Sequence, residues 1–306
     1  MSDAETRMLR RRLPEETLRW VADSVGRGSR IVGVRAIGDS PHSASHALDV
    51  EDRRGERHRL TLRRLVRADW LATDPWYVPA DEVAVLRLLE GTDIPAPQLV
   101  AADVEAEACD VPAILTTRLP GRSPREPGDM ESFLRQMAEV LPAIHSVRDP
   151  DALLARRYEP YYAATESQVP SWSARPGTWD RVFEIIAGSV PDGPACFIHR
   201  DYHFWNTLWI RGRLTGIVDW TTGCWGPPAI DLARMRQNLA GEFGLGSADR
   251  FLDICRSVGA ASGYHPYWGL LDAADSLPDM GLPTDPREAA GFARFEDYVA
   301  AVLSLL

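Results

Sequence analysis

Within residues 196–220, CFIHRDYHFWNTLWIRGRLTGIVDW, the chain sets His199, Asp201, His203 and Asn206 into one short polar stretch. It then brings back an acid, Asp219, between Val218 and Trp220 at the end of an apolar run. Polar residues at this density read as a loop, whereas TLWIRGRLTGIVDW reads as a hairpin turned at Arg211-Gly212-Arg213. A fold that contains this stretch must set a hairpin beside a polar loop, so that Asp219 returns to the loop carrying Asp201 and Asn206.

The remaining patterns show what surrounds that loop. Residues 15–25 have helical spacing and stop at Gly26. SRIVGVRAIGDSPHSASHALDVED reads as strand, polar turn and strand, and RHRLTLRRLV as a third strand after the turn-forming EDRRGE. ADEVAVLRLLEG is a helix with Val83, Leu86 and Leu89 at helical spacing, followed by short strands in IPAPQLVAADVE and VPAILTTRLPG. After the Pro-, Gly- and charge-rich LPGRSPREPGDM the texture changes to helices, in ESFLRQMAEVLPAIHSV, in TWDRVFEIIAGS and from Asp231 almost to the end. The expectation is an α+β, two-lobed chain. Residues 1–119 form an antiparallel β-sheet lobe with one inserted helix, and residues 120–306 a larger, mainly helical lobe.

Charge and composition exclude several functions. A net charge of -10 lacks the basic footprint of a nucleic-acid or anionic-membrane binder. No apolar run is long enough to span a bilayer, and the N-terminus lacks the apolar core of a signal peptide. Cys109, Cys196, Cys224 and Cys255 are scattered without a CxxC pair, as expected of reduced thiols in a cytoplasmic protein. The chain has no lysine, and all 34 of its basic residues are arginine. That excludes a Gly-Lys-Ser/Thr phosphate loop and Schiff-base chemistry, and leaves phosphate recognition to arginine.

Two chemistries compete for the loop. On a strand, His199, Asp201 and His203 would share one face and offer a zinc site. Alternatively, His-x-Asp-x-x-x-x-Asn followed by an acid on a hairpin has the spacing of kinase-type phosphoryl transfer. There a carboxylate, Asp201, orients the attacking hydroxyl and accepts its proton. Asn206 and Asp219 supply the oxygen ligands that a hard Mg²⁺ prefers.

HRDYHFWNTLW, GIVDW and GPPAIDLAR resemble the aminoglycoside phosphotransferase family, and the likeness runs from about residue 30 to the C-terminus. It implies a protein-kinase-like fold using ATP or GTP with Mg²⁺, with Asp201 as catalytic base and Asn206 and Asp219 as metal ligands. By the same likeness His199 buttresses the loop and Asp231 anchors its backbone from a helix. Only WTTGCW separates Asp219 from Gly226, too little for the segment on which a protein substrate docks, so a small hydroxylated acceptor is expected. An aminoglycoside-like antibiotic and a sugar or amino-alcohol metabolite both fit. A nucleotide-binding pseudokinase or regulatory module is the alternative from another class, and the complete Asp201, Asn206 and Asp219 set argues against it.

In LTLRRLV, Thr61 and Arg63 share a strand face, as the small residue and the lysine of a Val-Ala-Ile-Lys strand do. Arg63 is therefore expected at the nucleotide phosphates with Glu82 as its ion-pair partner. Arg64, on the opposite face, is expected to tolerate alanine. Gly38, Ser40, Ser43 and Ser45 occupy the phosphate-loop position, and Thr116, Thr117 and Leu119 the adenine hinge. Residues 131–306 hold 22 acids against 15 arginines, a balance suited to a cationic acceptor. Asp272 and Asp275, one helical turn apart, are the candidate acceptor residues, with Asp279 beyond them. Tyr158, Tyr161, Tyr162 and Trp172 are candidates to stack on a sugar.

Overall fold

The computed structural model describes residues 12–38, 43–162 and 168–306. The described residues divide into two compact units. The first runs to Pro120 and also takes in Asp149–Leu154 and Gly216–Thr222; the second holds the rest. The segment carrying Asp219 thus belongs with the N-terminal part rather than with residues 120–306. The reason is local: Ile217 N donates to Pro95 O at 2.8 Å, tying the end of the hairpin to the first unit.

In the first unit, α1 (Glu15–Val25) precedes β1 (Arg30–Ile37), β2 (Ala44–Glu51) and β3 (Arg57–Arg64). After them come α2 (Ala68–Thr73), α3 (Pro79–Leu88), β4 (Leu99–Asp103) and β5 (Ala113–Thr117). The five strands form one antiparallel sheet in the order β1-β2-β3-β5-β4. α2 was not read from the sequence, because six residues are too few to show a helical period.

Alternation along β3 sends its side chains two ways. Leu60 and Leu62 go to one face, where they join Leu48, Val50 and Leu115 against Leu13 and Val21. Full burial of each such side chain contributes roughly 1.5–3 kcal/mol. Thr61 and Arg63 go to the other.

Arg64 follows Leu60 and Leu62, which corrects the expectation that it tolerates alanine. It is fully buried and grips Asp110 with Nε at 3.1 Å from Oδ1 and Nη2 on Oδ2. Thr17 Oγ1 donates to the same carboxylate at 2.9 Å. Alternation assigns the face correctly, but it does not say that α1 and the Asp110 loop cover that face.

The second unit is mainly helical. α4 (Met130–His145) is capped by Asp129, whose side chain accepts from Ser132 N. α5 (Pro176–Ile186) follows. β6 (Cys196–Ile198) pairs antiparallel with β9 (Cys224–Gly226), and β7 (Thr207–Ile210) with β8 (Arg213–Ile217). The hairpin turns at Arg211 and Gly212, both at positive φ, as a two-residue turn requires.

α6 (Ala229–Phe243) is buried around most of its circumference because α7 (Leu245–Ser257), α8 (Pro266–Asp275) and α9 (Pro286–Leu303) pack around it. All four cysteines are free. Among the described residues no helix is long and apolar enough to cross a membrane.

Removing Arg64 strands a mostly buried Asp110 carboxylate. Arg64→Ala is expected to cost about 3–5 kcal/mol of stability, since breaking one side of a buried pair leaves an uncompensated charge. Arg64→Ala combined with Asp110→Ala should cost less than the sum of the two single changes. Urea denaturation of the three variants checks this, and a loss below about 1 kcal/mol for Arg64→Ala would place the pair among exposed ones.

Candidate active site

Arg63 is the centre of a polar cluster in the first unit. Its Nη1 lies 3.1 Å from Glu82 Oε1, 3.0 Å from Asp219 Oδ1 and 2.5 Å from Thr221 Oγ1. Thr221 Oγ1 in turn donates to Asp219 Oδ1 at 2.8 Å. Glu82 sits in the first turns of α3, and burial pushes its carboxyl up against the opposing pull of Arg63. Asp219 adopts φ 64°, a left-handed conformation unfavourable for a side-chain-bearing residue, while Arg63 and Thr221 hold its carboxylate.

Ser45 pairs with Arg63 across β2 and β3. Gly38 closes β1 at φ 70°, Ser43 is buried just before β2, and Ser40 lies outside the described residues. Thr116 is a ladder residue opposite Thr61. Thr117 exchanges two hydrogen bonds with the Gln98 backbone, from its N to Gln98 O and from Gln98 N to its Oγ1. Leu119 is half-buried beyond the strand.

In the second unit a single buried carboxylate orders the polar loop. Asp231, in the first turn of α6, accepts from His199 N at 3.1 Å and from Arg200 N at 2.8 Å. His145 Nε2 lies 3.0 Å from the same group. Arg200 has φ 69°, so residues 199–203 are not a strand and their side chains do not share a face. His199 is turned inward and fully buried, whereas 34% of the Asp201 side chain is exposed. This removes the zinc reading: the three-residue ligand cluster among the described residues is Asp52, Glu56 and His58, in and after the turn between β2 and β3.

Burial works to raise the Asp201 carboxyl, but His203, Arg234 and His199 outweigh it and hold the group well below the usual range. His203 Nε2 is 3.2 Å from Asp201 Oδ2, and Arg234 Nε is 3.7 Å from Oδ1. Asn206 Nδ2 donates to Asp201 O and Oδ2, both at 3.1 Å, which fixes the amide so that its oxygen faces away from Asp201. The Asn206 amide oxygen in the second unit and the Asp219 carboxylate in the first are each hard oxygen donors of the kind Mg²⁺ takes.

Asp272 and Asp275 are buried rather than presented to a ligand. Asp272 Oδ1 is 3.0 Å from Arg234 Nη2, and burial pushes its carboxyl up to about 7 against the pull of that arginine. Asp275 accepts from Tyr162 N at 2.9 Å and faces Arg200 at 3.9 Å. Tyr162 OH donates to Asp279. Tyr161 and Tyr158 lie against the Arg200 guanidinium, 3.4 and 5.4 Å from their ring centres. Trp172 packs at a tilt against Phe292, with ring centroids 4.7 Å apart. These acids and rings build the wall behind the loop.

Sequence reading passed over Thr221, Arg234, His145 and Arg200. Arg234 was the most accessible of these, one helical turn after Asp231 in IDLAR.

Comparison with known proteins fits this geometry. The phosphotransferase enzyme family matches residues 43–255. A homoserine kinase of Methylobacterium sp. (strain 4-46) is 29% identical over 135 residues, which are 41% of this chain and 41% of that protein's length. A thermostable variant of aminoglycoside phosphotransferase APH(4)-Ia, in ternary complex with ADP and hygromycin B, superposes with a TM-score of 0.62 at 16% identity. That likeness covers 94% of this chain and 98% of the other. An amicoumacin kinase in complex with AMP-PNP and Ca²⁺ gives a TM-score of 0.56 at 12% identity, over 88% of each chain. At these identities the two structures share the fold.

The Asp272 carboxyl gives a pH signature. Folded, it keeps its proton up to about pH 7; unfolded, it loses it near the ordinary value of 3.8. Between the two the folded state binds more protons, so the group's contribution to stability falls as pH rises. Asp272→Asn removes that fall. Relative to the unaltered protein, the variant should gain stability from about pH 4 to about pH 7 in denaturation experiments, the interval between the two ionisations. A constant difference across that range would show that Asp272 stays ionised.

Proposed function

The chain belongs to the phosphotransferase enzyme family, and on that premise we propose that it transfers the γ-phosphoryl group of ATP or GTP to a hydroxyl of a small molecule. The observation that carries this reading is the partly exposed Asp201 carboxylate, flanked by His203 and Arg234 and bonded to Asn206. An ionised carboxylate aligns a hydroxyl by accepting its hydrogen bond, and takes the proton as the oxygen bonds to phosphorus. The acceptor oxygen binds Pγ while the bond from Pγ to the leaving nucleoside diphosphate breaks.

In the same reading Arg63 binds the nucleotide's phosphates, oriented by Glu82 and Thr221. Asn206 and Asp219 hold Mg²⁺, which when bound neutralises phosphate charge. Gly38 and Ser43 are assigned to the phosphates, and Thr116, Thr117 and Leu119 to the base. The nucleotides held by the two structural neighbours support an adenine nucleotide as donor. The homoserine kinase and the hygromycin B complex support a small hydroxylated acceptor.

Asp201→Ala is expected to lower turnover by about 10²- to 10⁴-fold while nucleotide binding persists. Nucleotide titration and steady-state kinetics on an acceptor found by Mg²⁺-ATP screening separate the two effects. Unchanged turnover would remove Asp201 from the chemistry.

Arg63→Ala should weaken nucleotide binding and depress turnover together. Arg63→Lys should restore only part of each, because lysine keeps the charge but lacks the planar fork that binds phosphate with two parallel N–H groups. Full recovery in Arg63→Lys, measured with ATP varied, would show that charge alone matters.

A further inference from the structure

A cavity of about 610 Å³ in the second unit is lined by Trp205 from the polar loop and by Arg234 from α6. That volume suits a small-molecule ligand. Asp201 does not itself line the cavity but adjoins it, with Arg234 between them and its Nε 3.7 Å from Asp201 Oδ1. Trp205 leaves 41% of its surface exposed. Its ring is braced on Phe204, with centroids 4.5 Å apart, and its carbonyl accepts from Ser123 Oγ. A braced, half-open indole one residue before Asn206 is a stacking platform.

The cavity lining is electroneutral, unlike the unit as a whole. Three arginines and three acids line it. Glu242 is engaged by Arg287 at 2.5 Å. Asp285 caps α9, accepting from Arg287 N at 2.8 Å and Glu288 N at 2.9 Å. Glu288 accepts from Thr284 N and Oγ1. Arg234 is taken by Asp272 and donates to Ser276 Oγ, and Arg294 Nε donates to Gly241 O at 2.8 Å. The lining therefore carries no net charge, and Glu242 is already ion-paired with Arg287, so a molecule with several ammonium groups meets no net negative potential here.

We propose that this cavity is the acceptor site and that it takes an uncharged or singly charged hydroxylated molecule with a flat or aromatic face, not a polycation. The inference rests on the phosphotransferase reading and names the substrate class of that site.

Calorimetric titration with two probes tests it, using p-nitrophenyl β-D-glucoside as the neutral aryl glycoside and hygromycin B as the polycation. The glucoside is expected to bind at least about tenfold more tightly. Trp205→Ala should abolish that preference, and Trp205→Phe should keep most of it. Arg287→Ala, which releases Glu242, should strengthen hygromycin B binding about three- to tenfold.

Hygromycin B binding at least as tightly to the unaltered protein overturns the inference. So does glucoside affinity that is indifferent to Trp205→Ala, or binding of neither probe by a protein that still binds nucleotide. Failure to bind or turn over ATP and GTP with any acceptor would instead overturn the phosphotransferase reading itself.

Discussion

The Asp231 carboxylate is the interaction on which the polar loop depends. It is fully buried, yet it sits in the first turn of α6, where the helix dipole favours negative charge, and it accepts two backbone N–H groups. Those two donors belong to His199 and Arg200, so the acid determines how the chain enters the turn that presents Asp201. Hydrogen bonds from backbone amides to a buried carboxylate are directional and short, and they act before any ligand arrives. α6 can bear that role because three other helices enclose it, leaving the anchoring side chain a fixed position.

A chain without lysine must do its buried cationic work with arginine, and the structure shows what this entails. Arg64 grips Asp110 with two nitrogens, and Arg236 donates from Nε to Ala248 O and from Nη2 to Asp249 Oδ1, a division of contacts that a single ammonium on a flexible stem makes poorly. Arg234 is the clearest case: Nη2 meets Asp272, Nη1 meets Ser276, and Nε faces Asp201. One planar group thus couples the acid of α8 to the acid of the loop. Asp272, assigned from the sequence to the acceptor, becomes the buried partner that holds Arg234 in place.

Much of the fold was legible because both periods are strong. Alternation in Arg57–Arg64 puts Thr61 and Arg63 together, and 3.6-residue spacing identifies the helices that carry Glu82 and Asp231. What escaped was whatever depends on a covering element from elsewhere in the chain. Arg64 looked like an ordinary strand charge until α1 and Asp110 were seen to enclose it. Asp272 and Asp275 read as acceptor contacts because nothing local announces that Arg234 and Arg200 lie across from them. Periodicity reports faces, while burial of a charge is decided by partners distant in sequence.

Arg200 and Asp219 both occupy the left-handed region, and neither is glycine. Each such residue costs of order 1–3 kcal/mol, so it persists only where neighbouring contacts over-determine it. For Arg200 the compensation is visible as the Asp231 bond to its amide, the Glu159 carbonyl on its guanidinium and the ring of Tyr161 against its face. For Asp219 it is the clasp of Arg63 and Thr221 on Oδ1. The second arrangement differs in kind, because its contacts are made by the carboxylate itself. A metal ion taking that carboxylate would compete with Arg63 for the group that offsets the strain. Arg63 is in turn held by Glu82 from α3, so the contact that offsets the strain at Asp219 is anchored in another element of the same unit.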